Sequence, residues 1–305
     1  RHRPTNRCSI TTAPLKENNR LQSTRWKLIV AVALFGATVW ISATVLDLTA
    51  VVTAMTALPT QTALVIMLLG AVSWPLRGLR TWMLFDQLPL SEALGLSFLH
   101  NTANNLAPMR LGELALPMLA RWLGGVEFSI GLTSLLWIRL LDFISLIGIS
   151  LCIILLPVAG TIMLALLAAL IFLTPLILGF IVPKTQHIQL PEILAKARAQ
   201  LIYEAQNGKR LHRMWRLTIL AWLSKIMGMG VLLATLSGIP MTEVVTTILG
   251  AELSSILPIH GFAGAGSYEA GGILGSAFMG LSPVVALEMT IQLHIYVLSL
   301  TAVFG

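Results

Sequence analysis

Between residues 129 and 182 the sequence carries only two charged side chains, Arg139 and Asp142, in an otherwise predominantly apolar run. A helix needs about 20 apolar residues to cross a hydrocarbon core of about 30 Å. This stretch therefore reads as two spans, 129–156 and 158–182. Runs at 27–46, 62–82, 217–238 and 283–304 have similar length, and shorter Gly- and Pro-interrupted ones lie at 91–107, 108–124, 242–258 and 263–281. In lipid every backbone polar group must find a partner inside the protein, so helices or closed barrels are the available spanning structures. A barrel would show short alternating segments instead. With 56% hydrophobic and 11% charged residues among 305, the expected fold class is all-α, a polytopic transmembrane helix bundle. The first run lacks a small-residue cleavage site and reads as a retained helix. Cys8 and Cys152 form no disulfide framework or metal-ligand spacing, so neither metal nor cofactor is expected.

The net charge of +7 is unevenly placed. Residues 1–27 hold Arg1, Arg3, Arg7, Lys16, Arg20, Arg25 and Lys27, and residues 183–216 hold Lys184, Lys196, Arg198, Lys209, Arg210, Arg213 and Arg216. These two segments carry 14 of the 20 basic residues, the bias that places loops on the cytoplasmic side. Contact with anionic lipid explains this charge better than nucleic acid does. The expected organisation is a basic cytoplasmic tail at 1–26 and one integral membrane domain at 27–305, with a basic cytoplasmic loop at 183–216. Within that loop PEILAKARAQLIYEAQ, 191–206, puts Ile193, Ala197, Leu201 and Glu204 near one face, as an interfacial helix would.

If both basic segments share a side, an even number of crossings separates them. The runs 27–46, 62–82, 129–156 and 158–182 supply four, so 91–107 and 108–124 together contribute none or two. Pro108 and Pro117 would break an ordinary helix interior, and Asn101, Asn104 and Asn105 end the first arm with amides. A re-entrant hairpin is the favoured reading, because non-helical backbone at membrane depth must line protein or a water-filled cavity. Two short tilted crossings keep the same parity. The theme recurs in SSILPIHGFAGAGSYEAGG, 254–272, where an apolar arm ends at Pro258, bends through Gly264 and Gly266, and reaches Glu269. Glu113 precedes Gly124 by 11 residues and Arg139 by 26; Glu269 precedes Gly280 by 11 and His294 by 25. This predicts two inverted repeats, about 27–156 and 158–305, each with a broken or re-entrant hairpin. Broken helices at matching positions point to a transporter's binding site.

Charges inside a bilayer are costly and face partners or cavities. Arg110 with Glu113, and Arg139 with Asp142, share a helix face at i,i+3. Each pair reads either as mutual neutralisation or as a substrate contact. Lys225 either snorkels to the interface or faces substrate, and Glu252 and Glu269 sit in apolar segments. Arg77 and Arg80, beside Trp74 and Trp82, read as anchors at the cytoplasmic interface. A helix starting near Pro108 would aim its N-terminal amides at an anion, and the Gly-rich 261–267 stretch would offer further amides. The candidate substrate-binding residues are Asn104, Arg110, Glu113, Arg139, Asp142, Lys225, Glu252, Gly266 and Glu269, with Pro108, Gly112, Pro258 and Gly264 as hinges. The expected ligand is a membrane lipid with an anionic, phosphate-bearing headgroup.

The pattern P-x-x-x-G-E at 108–113, the LLWIRLLDF run around Arg139 and Asp142, and LPIHGFAGAGSYEAG at 257–271 followed by GLSPVVAL at 280–287 resemble the lysylphosphatidylglycerol synthase transmembrane-region family. His260 and Phe262 lie in a longer glycine-rich run than the usual second motif. The resemblance implies a multi-pass bacterial inner-membrane protein, and the basic tail gives it a cytoplasmic N-terminus. It also implies a relation to the flippase portion of the synthases that move lysyl-phosphatidylglycerol to the outer leaflet. No aminoacyl-transferase segment follows residue 305, so the expectation is a lipid mover rather than an enzyme that makes the aminoacylated lipid. Two other readings are open: a membrane enzyme acting on a lipid phosphate, and a non-catalytic partner of an envelope-biosynthesis enzyme docked by 183–216.

Overall fold

The apolar runs become helices, and the Gly- and Pro-rich interruptions become the bends between them. The computed structural model describes residues 15–189, 192–256 and 261–305, and every regular element in them is helical. Helices α1 (Leu15–Val45), α2 (Leu48–Thr56) and α3 (Thr60–Trp82) lead into α4 (Leu90–Leu106), a 3-10 turn (Pro108–Leu114) and α5 (Ala115–Gly124). Then come α6 (Phe128–Lys184), α7 (Glu192–Gln206), α8 (Gly208–Ser237), α9 (Met241–Ser254), a short 3-10 turn (Phe262–Gly264), α10 (Ser267–Ala277) and α11 (Pro283–Phe304). Residues 1–14 of the basic tail, Pro258 and His260 lie outside the described residues; α1 already begins within the tail's expected bounds.

Five helical segments among the described residues are long and apolar enough to cross a membrane: Leu28–Val45, Thr60–Leu84, Phe128–Cys152, Gly208–Ser237 and Pro283–Phe304. Large apolar side chains such as Trp40, Leu68, Ile162 and Phe172 stand exposed on the long helices, as a lipid-facing surface requires. The protein is a multi-pass helical membrane protein. The two spans expected at 129–156 and 158–182 are α6, which breaks at Gly160 (φ 63°, ψ −174°) rather than at residue 157. That backbone conformation is open to glycine and strained for other residues.

The interrupted segments form two hairpins. Their arms α4, α5, α9 and α10 have 17, 10, 14 and 11 residues. At 1.5 Å per residue they extend about 15–26 Å, so none alone spans a core of about 30 Å. Pro117 lies in the first turn of α5, where its missing N–H removes no helical bond. The second arm therefore starts at Ala115 and not near Pro108, and Arg110 and Glu113 lie in the 3-10 turn instead of on a helix end.

Each hairpin has its own core. Leu96, Leu116, Trp137, Leu141, Met214 and Trp215 bury the first; Met229, Leu233, Ile248, Tyr268, Leu293 and Tyr296 bury the second. Helix α8 serves both. It touches α3 backbone to backbone, because a Cβ on Gly228 would lie 3.2 Å from Gly70 N. Helix α7 occupies the position expected for the interfacial segment. Its Glu204 is buried and meets Arg210 at 3.3 Å.

Candidate functional site

The tips of the two hairpins meet at the centre of the bundle. Sterics dictate the first tip: a Cβ on Gly112 would sit 2.1 Å from the carbonyl oxygen of Ala103, so only glycine lets the 3-10 turn lie against α4. Met109 and Arg110 take left-handed backbone (φ 52° and 56°), as does Ala263 in the second tip (φ 55°). Such conformations are costly for residues with a Cβ and cluster at functional sites.

Arg110 joins the tips. Its Nε donates to the Ser255 carbonyl at 3.0 Å, Nη2 donates to the same oxygen, and Nη1 donates to Glu113. The same Glu113 oxygen, Oε1, also lies 3.1 Å from Arg139 Nε, out of hydrogen-bond alignment. Arg139 is only 4.0 Å from Asp142, so the i,i+3 pair expected on α6 is weak.

Asp142 instead belongs to Arg80, which donates at 2.6 and 3.3 Å, with a third bond at 3.0 Å from the Trp222 indole N–H. Arg80 also donates to Thr218 at 2.9 Å. Both partners are 3% exposed. Arg80 is thus not an interface anchor: the close approach of α3 and α8 carries it into the bundle. Its neighbour Arg77 turns toward the centre, 4.7 Å above the Trp222 ring, and has no carboxylate partner among the described residues.

One turn along α8 from Trp222, Lys225 meets Glu252 at 2.7 Å, and Tyr268 donates to the other oxygen of Glu252 at 3.2 Å. Lys225 therefore points inward rather than snorkelling. Glu269 sits 2.6 Å from His294 Nδ1 and accepts the Gly266 N–H at 2.7 Å. His294 Nε2 contacts the carbonyl oxygen of Ala263. With an acceptor beside each ring nitrogen, the pair must hold one proton beyond neutral imidazole and carboxylate. In each hairpin, then, a Glu near the tip engages a basic side chain on the long helix that follows.

These groups surround a cavity of ≈ 110 Å³ lined by Arg77, Asn104, Arg110, Arg139, Asp142, Trp222, Lys225, Glu252 and His294, among others. That is room for a phosphate-sized group with a few waters, well below the 300–1,000 Å³ typical of sites that enclose a whole ligand. Asn104 Oδ1 is buried there without a hydrogen-bond partner. The structure brings together seven of the nine expected substrate residues: Asn104, Arg110, Glu113, Arg139, Asp142, Lys225 and Glu252. Glu269 reaches the cavity only through His294. Gly266, its amide occupied, lines a separate, largely apolar groove with Leu34 and Leu287. Gly264 lines the cavity, with φ +87°. Sequence reasoning missed Arg77, Arg80 and Trp222. Two arginines inside a 23-residue apolar helix were as informative a signal as Arg139 and Asp142.

Among the described residues no group of three or more His, Cys, Asp or Glu is placed to hold a metal ion. Neither the curated proteins nor the solved structures contain a match to the sequence. The family model for the lysylphosphatidylglycerol synthase TM region matches residues 28–305. The chain belongs to the lysylphosphatidylglycerol synthase TM region family.

Proposed function

We propose that this protein moves a phosphate-bearing phospholipid or glycolipid across the bacterial inner membrane, with the headgroup held between the hairpin tips. The observation that carries this reading is the charge balance of the cavity. Five cations, Arg77, Arg80, Arg110, Arg139 and Lys225, face three carboxylates, Glu113, Asp142 and Glu252, while Glu269 and His294 balance each other. Among the described residues Arg77 makes no direct ion pair and feels Asp142 and Glu252 only at longer range, and Arg110 and Arg139 share Glu113. An excess of two positive charges in a low-dielectric site favours an anionic ligand, and guanidinium forks suit phosphate oxygens. The buried Asn104 oxygen would accept a headgroup hydroxyl or amine. Arms too short to span alone support hairpins that enter from opposite faces, with the two halves inverted. The basic segments support a cytoplasmic N-terminus and a cytoplasmic 183–216 loop. The cavity's size supports a closed state in which the acyl chains stay in the bilayer.

Reconstitution in liposomes with fluorescent phosphatidylglycerol, followed by reduction of outer-leaflet label with dithionite, tests this. Losing a hydrogen bond to a charged group costs about 1.5–3 kcal/mol, so Arg77→Gln and Arg139→Gln should each slow movement roughly 10- to 100-fold. Wild-type rates in both variants, with helicity unchanged by circular dichroism, would reject the site.

A further inference from the structure

A second basic pocket lies away from the central cavity, where the end of α3 meets the start of α8. It encloses ≈ 430 Å³ between Trp82, Met83 and Asp86 on one side and Asn207, Lys209, Arg210 and Arg213 on the other. Its frame is rigid. Leu84, Phe85 and Leu88 of the α3–α4 connection are at most 5% exposed, and Leu211 and Met214 of α8 are fully buried between the basic positions. Arg210 is fixed by two carboxylates, Glu204 at 3.3 Å and Asp86 at 3.4 Å, with its side chain 12% exposed. Lys209 and Arg213, four apart on one helix face, stand exposed with no carboxylate partner among the described residues. Helix α8 has no acidic residue in its first turn, and cations there oppose the helix dipole. The pocket therefore carries an excess of one positive charge, Lys209, Arg210 and Arg213 against Asp86 and Glu204, at a preformed concavity.

We propose that this pocket binds the phosphodiester headgroup of an anionic phospholipid from the leaflet that faces the basic segment. Position selects a lipid over a soluble anion. The pocket lies between the ends of two spanning helices, Thr60–Leu84 and Gly208–Ser237, at the depth where headgroups sit. One wall is Trp82, 43% exposed at the end of α3, and Met83. An indole at the interface packs on glycerol and upper acyl carbons while staying near water. Lys209 and Arg213 reach the phosphate from the aqueous side, and Arg210, held between its acids, fixes the depth of the seat. The site does not depend on the central cavity: no residue lines both.

The test is photo-crosslinking of the full-length protein in nanodiscs, with a diazirine on the headgroup of phosphatidylglycerol or of phosphatidylcholine and the adducts mapped by peptide mass spectrometry. Phosphatidylglycerol should label residues 82–86 and 207–213, and phosphatidylcholine should not. Each basic group near an anionic lipid contributes a factor of about five, so Lys209→Gln with Arg213→Gln should cut labelling about 25-fold. Arg77→Gln, which alters only the central cavity, should leave this labelling unchanged, so failure here and failure of the transport reading are separable. Equal labelling by both lipids, or full labelling of the double variant, would overturn the proposal. Loss of labelling in millimolar inorganic phosphate at constant ionic strength would make the pocket a soluble-anion site and overturn it as well. Both substituted side chains are exposed, and circular dichroism checks that the double variant stays folded.

Discussion

Replacing Asp142 with Asn isolates the interaction that ties three long helices together. Asp142 on α6 takes two bonds from Arg80 on α3 and one from Trp222 on α8, at 3% exposure. The substitution keeps shape and one acceptor oxygen but removes the charge. Arg80 keeps a neutral amide oxygen and the Thr218 hydroxyl at 2.9 Å but loses its counter-charge, and Arg139 loses its more distant one at 4.0 Å. Breaking a buried pair by removing one partner costs about 3–5 kcal/mol. The retained oxygen puts Asn at the low end, near 3 kcal/mol. At about 2 °C per kcal/mol for a large domain, melting in detergent should fall by about 6 °C. Indole fluorescence should shift, since the Trp222 N–H loses a charged acceptor. The double variant Arg80→Met with Asp142→Leu should recover most of the loss, because well-packed apolar residues replace a buried pair at little or no cost. An Asp142→Asn protein that melts within about 1 °C of wild type would refute the reasoning. So would a double variant no more stable than the single one.

Two further outcomes follow from packing and burial. Gly112→Ala sets a Cβ 2.1 Å from the Ala103 carbonyl, backbone against backbone. Overpacking costs about 1–3 kcal/mol, so this variant should melt lower and lose transport, whereas Gly36→Ala, with nothing within 4 Å, should melt as wild type. On α7, outside the spanning segments, burial pushes the Glu204 carboxyl above its ordinary 4.5, while Arg210 and Gln200 only partly offset this. Relative to the unfolded chain the folded state therefore holds this proton more tightly: the stabilising contribution is complete below about 4.5 and is lost as pH rises through the folded-state value. Amide exchange across 200–206, corrected for intrinsic rate, should slow as pH falls from 7 toward 5. Glu204→Gln should be slow already at pH 7. Exchange insensitive to pH in the wild type would contradict the burial argument.

Much of the helical layout was legible in the sequence because its causes are local. Apolar runs of bilayer length must become helices, and Pro108, Gly112 and Gly264 mark bends because few other residues suit those backbones. The Arg110–Glu113 contact was also readable, since three residues of one turn bring the side chains together. The matched spacings from Glu113 to Arg139 and from Glu269 to His294 end in two contacts, at 3.1 and 2.6 Å. Local spacing misled where a stronger partner lay elsewhere. Asp142 sits three residues from Arg139 yet pairs with Arg80, 62 residues away.

The sequence by itself determined a membrane protein, its long helices, its two interrupted segments and most of the charges in the central cavity. Hydrophobicity and backbone sterics act residue by residue, so they are written along the chain. The tertiary structure alone decided which charge meets which. The approach of α3 to α8 at Gly70 and Gly228 carries Arg77 and Arg80 inward, and the contact of the hairpin tips sets Arg110 against Ser255. Electrostatic partnership depends on distances across the packed bundle, 62 residues apart for Arg80 and Asp142 and 145 for Arg110 and Ser255, and no spacing along the chain encodes them.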